Sequence, residues 1–228
     1  MEYSTVRVDA GQHLLRAEQK AIELFATVEA LGLITPGKSE RELTAEIVRL
    51  AEESFGITQY WHKKIVRTGV NTLESYNGNP PDRIIQPEDI LFLDFGPIFE
   101  GWEADLGRTY VLGNDALKLK LKQDVGTAWQ EAKAWYEEKS SLTGSEFFYY
   151  ATELAARYGW EFAGEIAGHI VGHFPHEQAG PGDLSLDIHP DNHADILDAQ
   201  GQDRHWILEL HFVDRANHIG AYFEQLLK

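Results

Sequence analysis

Residues 89–113, DILFLDFGPIFEGWEADLGRTYVLG, constrain the fold more than any other stretch of this 228-residue chain. Two β-rich runs flank Glu100-Gly101, which reads as a hairpin turn. A two-residue turn pairs Phe99 with Trp102, and continuing that register sets Asp94 opposite Gly107 and Gly96 opposite Asp105. Side chains alternate faces with period two, so Asp94 and Asp105 share one face as diagonal neighbours. Ile90, Leu91, Phe92, Leu93 and Phe95 are apolar on both faces of their strand, which predicts that Asp94 is buried. A buried pair of like charges is costly unless a cation compensates it. The alternative is that Asp105 pairs with Arg108 or caps a turn while Asp94 sits at a sheet edge.

Around this hairpin the pattern alternates helices and strands. Residues 11–32 carry apolar positions at helical spacing, including Leu14, Ala21, Ile22, Leu24, Phe25 and Val28, and end at a glycine. In TPGKSERELTAEIVRLAEESFG, Ser39 and Glu42 form a capping box ahead of a second helix of about fourteen residues. KKIVRTG reads as a strand and YNGNPPD as turn material. Two more helices are predicted over about 115–138 and 143–158, then a histidine-rich segment, a Pro/Asp/His-rich loop at 180–205, and closing strands in HWILELHFV and GAYFEQLL. The order helix, helix, strands occurs twice. It predicts an α+β fold of two similar halves around a mixed or antiparallel sheet, although no sequence repeat links the halves.

Composition narrows the function classes. With 20 Lys and Arg against 37 Asp and Glu, the net charge of −17 opposes the basic surface that nucleic-acid binding needs. No stretch approaches a membrane span. The first residues, MEYSTVRVDAGQ, lack the basic and apolar regions of a secretory signal, so a cytoplasmic location is expected. The absence of cysteine excludes disulfides, thiolate metal sites and a cysteine nucleophile.

The segment GHIVGHFPHEQ, residues 168–178, holds His169, His173 and His176. Gly168, Val171, Gly172 and Pro175 argue against a regular helix there. HEQAG lacks the second histidine of an HExxH zinc motif. Glu209 in ILELHFV and Glu224 in AYFEQLL interrupt otherwise apolar strands. A lone strand glutamate usually faces solvent. Two of them, with two hairpin aspartates and a histidine, make an oxygen and nitrogen donor set suited to Mn²⁺, Co²⁺, Fe²⁺ or Zn²⁺.

These motifs resemble those of the pita-bread metallopeptidases, peptidase family M24, which includes methionine aminopeptidases, Xaa-Pro aminopeptidases and prolidases. LDFGPIFEGWEADLGRT is similar to the family's Asp, ten residues, then Asp-x-x-Arg-Thr, and GHIVGHFPHE to its Gly-His-Gly-Ile-Gly before a His-Glu. LELHF and GAYFEQ stand where the family has its Glu-Pro and Arg-x-Glu-Asp segments, so the resemblance spans roughly residues 12–228. It implies a curved sheet with the metal site at its centre. Asp94, Asp105, His169, Glu209 and Glu224 would hold two divalent ions, with Asp105 and Glu224 bridging them. A bridging hydroxide would attack the scissile carbonyl of a short peptide, with Glu209 moving the proton and His176 donating a hydrogen bond on the substrate side. His173 is assigned no role.

The chain departs from the family at the substrate positions. Asn77 or Tyr76 stands where the family has a histidine about seventeen residues before its first aspartate; Glu165 replaces a histidine of proline-specific members, and Tyr222 an arginine. The expectation is a single catalytic domain over 1–228, with no separate N-terminal domain and a homodimer as the candidate assembly, acting as an aminopeptidase of the Xaa-Pro type. A non-peptidase hydrolase or lyase on this fold, and an inactive binding module, are the alternatives.

Overall fold

The computed structural model describes residues 9–175, 183–197 and 204–227. Helix α1, Ala10–Ala30, buries Leu14, Ala17, Ala21, Leu24, Phe25 and Val28, a stripe at spacings of three and four residues. Helix α2, Glu40–Phe55, starts at the Ser39–Glu42 capping box and stops at Gly56, whose φ of 67° ends the helix in a left-handed turn. Helices α3, Ala116–Glu137, and α4, Gly144–Tyr158, repeat the arrangement in the second half. A second capping box, Thr143 with Glu146, opens α4.

The strands are β1 (Ile65–Thr68), β2 (Ile90–Phe95), β3 (Ile98–Phe99), β4 (Trp102–Glu103), β5 (Leu106–Val111), β6 (Glu161–Phe162), β7 (Gly168–Val171), β8 (His205–Asp214) and β9 (Ile219–Leu226). Seven form one curved sheet in the order β1-β2-β5-β9-β8-β6, with β7 also paired to β8, and every pairing is antiparallel. Strands β3 and β4 form a separate two-stranded ribbon.

The hairpin keeps the expected register: Phe99 pairs with Trp102 and Asp94 with Gly107. Glu100 and Gly101 make the turn at φ of 51° and 84°. The β2–β5 ladder ends at Phe95–Leu106 and so does not include Gly96 and Asp105. Pro97 has no N–H to give. The Gly96 carbonyl instead accepts the Trp61 N–H at 3.0 Å, which stitches the segment before β1 to the hairpin.

Period-two alternation divides the sheet into two faces. Leu91, Leu93, Phe95 and Leu106 pack with α1 and α2 residues in one apolar core, and Leu208, Leu210, Phe212 and Ala221 pack with α3 and α4 residues in another. The helices therefore cover one face. The intervening residues, Phe92, Asp94, Glu209, His211, Tyr222 and Glu224, point to the other face and line a cavity of about 280 Å³. The two halves meet where β5 pairs with β9, at Gly107 opposite Glu224.

Candidate metal centre

Four elements bring the acidic side chains together. Asp94 comes from β2, Asp105 from the residue before β5, and Glu209 and Glu224 from directly opposed positions of β8 and β9. His169 enters from β7, and its Nε2 lies 3.2 Å from Asp105 Oδ2 and 3.9 Å from Glu224 Oε1. Gly107 makes the convergence possible. A Cβ there would lie 2.5 Å from the Tyr222 ring and 2.8 Å from the Glu224 Cβ. Arg108 does not pair with Asp105; its guanidinium donates to the Gly107 and Glu224 carbonyls and to Gln225 Oε1.

A sixth segment, the one before β1, supplies a residue that the sequence reading missed. The His62 side chain is 5 % exposed, and its Nε2 is 3.1 Å from Asp105 Oδ1 and 3.6 Å from Asp94 Oδ1. Two donor groups result, His62–Asp94–Asp105 and Asp105–His169–Glu224, within each of which the donor atoms lie within 4.8 Å of one another. Asp105 belongs to both. Trp61 packs its ring against both histidines, with centroids 4.5 Å and 5.1 Å away, and donates Nε1–H to the Ala104 carbonyl.

Burial pushes the Asp94 carboxyl up to about 7, with the charges of Asp105 and Glu209 adding to it against the opposing pull of His62. Burial would raise Asp105 as well, but His62 and His169 hold it below the usual carboxylate range. Glu224 is raised well above that range by burial and by Asp105, Asp94 and Glu209. Glu209 is raised by burial, opposed by His169 and by a hydrogen bond from the Tyr222 hydroxyl to its Oε2. Burial alone would depress His62 and His169, yet the neighbouring carboxylates lift both to about 9.

A metal ion fits these residues on two grounds. Four carboxylates share a low-dielectric cavity, where like charges repel strongly without a cation. Among the described residues, Glu224 Oε2 is also buried with no hydrogen-bond partner, which leaves one hard oxygen donor uncommitted there. Asp94, Asp105, His169 and Glu224 are thus placed together as expected. Glu209 lines the same cavity but stands outside both donor groups, held by Tyr222.

Tyr76, Asn77, Glu165 and Tyr222, the positions expected on the substrate side, line the same cavity. Asn77 donates Nδ2–H to Glu165 Oε2 at 2.9 Å, and Ser75 donates to Glu165 Oε1 at 3.1 Å. Arg67, also unremarked in the sequence, donates to the carbonyls of Glu74, Ser75 and Gly78 and so fixes the segment that carries Tyr76 and Asn77. Lys63 donates to the Tyr76 carbonyl. His173 packs against Trp102, with ring centroids 5.7 Å apart, and does not line the cavity. His176 lies outside the described residues.

Residues 12–199 match metallopeptidase family M24. The chain belongs to this family. Among curated relatives, this M24 chain is 27% identical over 157 residues to a Xaa-Pro dipeptidase of Pyrococcus horikoshii, covering 68% of the chain and 44% of the relative. It is 29% identical over 110 residues to a Xaa-Pro dipeptidase of Lactobacillus delbrueckii, covering 48% of the chain and 29% of the relative. The chain therefore spans less than half the length of these relatives. Its fold is that of an X-Pro aminopeptidase from Thermotoga maritima, with a TM-score of 0.76 at 20% identity over 95% of this chain and 57% of that one. A methionine aminopeptidase from Rickettsia prowazekii superimposes with a TM-score of 0.71 at 15% identity, covering 95% of this chain and 92% of that one. Both comparisons identify the pita-bread fold. Among the described residues, no helix is long and apolar enough to cross a membrane.

Proposed function

We propose that this M24 chain is a dinuclear metal-dependent peptidase that releases the N-terminal residue of short peptides, in the manner of Xaa-Pro aminopeptidases. The observation that carries the reading is Asp105, whose two oxygens face separate donor groups, Oδ1 toward His62 and Oδ2 toward His169. A carboxylate placed this way suits a bridging role between two cations. Asp94 would complete one site, and His169 with Glu224 the other; Glu209 is the fourth carboxylate at the cavity wall. The donor set is all oxygen and imidazole, which suits Mn²⁺, Co²⁺, Fe²⁺ or Zn²⁺.

Two bound cations would supply an ionised water at neutral pH and polarise the scissile carbonyl. The protein groups govern the proton and the substrate. Tyr222 holds Glu209 Oε2, leaving Oε1 to take a proton from the attacking water and return it to the leaving amine. His176 would donate to the oxygen of the developing tetrahedral centre. The Asn77–Glu165 pair, on the segment anchored by Arg67, borders the space for the peptide.

The test is hydrolysis of Xaa-Pro, Met-Xaa and general dipeptides by metal-loaded protein, alongside an Asp105→Ala variant and metal analysis of both. Release of the N-terminal residue, lost together with bound metal in the variant, is the expected result. A variant that keeps both metals and full hydrolysis would overturn the reading, and so would a metal-loaded protein that cleaves no peptide.

A further inference from the structure

We infer that His62 is a metal ligand of this chain, completing the site built on Asp94 and Asp105. It is not one of the five residues to which the family resemblance assigns a metal. The inference rests on the dinuclear reading above and extends it to one more side chain.

Distance is the first argument. Two donors each about 2.1 Å from one ion, at the angles of octahedral or tetrahedral coordination, lie roughly 3.0–3.4 Å apart. The His62 Nε2 separations of 3.1 Å and 3.6 Å from the two aspartate oxygens fall at or just beyond that range. Asp94 and Asp105 without His62 would form a carboxylate-only end. With His62, each donor group has one imidazole and a share of Asp105.

Ring orientation is the second. His62 Nδ1 lies 2.7 Å from the Lys63 carbonyl, an acceptor only, so Nδ1 carries the hydrogen and donates. Nε2 then faces the aspartates, and once its proton is displaced it would offer its lone pair to a cation between them. His169 is arranged the same way, with Nδ1 2.9 Å from the Ile170 carbonyl and Nε2 facing Asp105. A backbone carbonyl behind the ring is how metal-binding histidines are oriented.

The third argument is the space reserved for the ring. A Cβ at Gly96 would sit 2.1 Å from His62 Cδ2, 2.3 Å from its Nε2 and 2.4 Å from Trp61 Nε1. The only residue type that admits His62 occupies the hairpin position between Asp94 and Asp105. The Trp61 N–H bond to Gly96 and its Nε1–H bond to Ala104 hold the backbone of the histidine against that gap.

The rival arrangement is a permanent ion pair in which a protonated His62 neutralises the two aspartates and excludes a cation. Metal titration with Mn²⁺ or Co²⁺, followed by calorimetry, metal analysis and the visible absorption of the Co²⁺ form, separates the two. The wild type is expected to bind two ions. His62→Ala and the closer-fitting His62→Gln, both checked for folding by circular dichroism, are expected to keep one ion and to bind the other at least about tenfold more weakly. Their Co²⁺ spectrum should change. Wild-type affinity for both ions with an unchanged spectrum in both variants would overturn the assignment of His62 and leave the dinuclear reading standing. A wild-type protein that binds no metal would instead overturn the dinuclear reading itself.

Discussion

Asn77 and Glu165, 88 residues apart in the chain, meet through an Nδ2–H···Oε2 hydrogen bond of 2.9 Å at the mouth of the cavity. The family resemblance places substrate-side histidines at Glu165 and at Asn77 or its neighbour Tyr76. If the pair borders the peptide, loss of either member breaks the same hydrogen bond. Asn77→Ala and Glu165→Ala are each expected to raise KM about three- to tenfold with little change in kcat, and the double variant no more than either single. Steady-state kinetics on the best dipeptide, arranged as a double-mutant cycle, checks this; additive effects would contradict it.

Tyr222→Phe removes the hydroxyl that donates to Glu209 Oε2. That bond favours the ionised carboxylate, so its loss raises the Glu209 pKa further. A base with a higher pKa loses its active form at a higher pH. The acid limb of the kcat/KM profile should accordingly move upward, with kcat at neutral pH reduced about tenfold. An unmoved acid limb would show that Glu209 is not the proton carrier.

Glu224→Gln should act with opposite signs on metal-free and metal-loaded protein. Burial and neighbouring carboxylates raise the Glu224 pKa in the folded state. The stability tied to such a group is complete below its unfolded value of about 4.5 and is lost as pH rises, because the unfolded chain ionises first. The metal-free variant escapes that loss and should be more stable than metal-free wild type at about pH 8, by about 1–3 kcal/mol. Chelator should lower the melting temperature of the wild type much more than that of the variant.

His211 offers a stability test away from the proton path. Burial, reinforced by Arg67 and Arg215, lowers its pKa to about 4 despite the hydrogen bond of its Nε2–H to the Thr72 carbonyl. Below about pH 6.5 the unfolded chain takes up a proton that the folded chain refuses, so stability falls with pH. The loss from about pH 7 to about pH 4.5 is about 2–3 kcal/mol for this one group. Urea unfolding at both pH values should show a smaller loss, by that amount, in His211→Gln.

The parts of the fold that the sequence made legible were those set by local patterns. Ser39 with Glu42 announced α2, and the spacing of Leu14, Ala21, Leu24 and Val28 announced α1. The turn at Glu100-Gly101 gave the register that puts Asp94 opposite Gly107. His169, Glu209 and Glu224 were found because they stood at family positions in strands. His62 escaped because it lies in an irregular segment between Gly56 and Ile65, and its nearness to Asp105 is created by the long-range Trp61–Gly96 and Trp61–Ala104 bonds. Arg67 was hidden for a similar reason: a basic residue in a strand gives no sign that backbone carbonyls up to eleven residues onward will surround it. The hydrogen bond that ties Glu209 Oε2 to Tyr222 comes from a cross-strand partner that no spacing within one segment reveals.

The seam at Gly107 and Glu224 joins the two halves that share the cavity. Asp94 and Asp105 belong to the first half of the chain, and His169, Glu209 and Glu224 to the second. The first half owns the whole His62–Asp94–Asp105 group, whereas the second group takes Asp105 from the first half and His169 and Glu224 from the second. A chain that has made only its first half thus carries the donors of one group and lacks two of the three donors of the other. On the dinuclear reading, capture of the second cation would therefore require both halves to have docked, because its donors come from both.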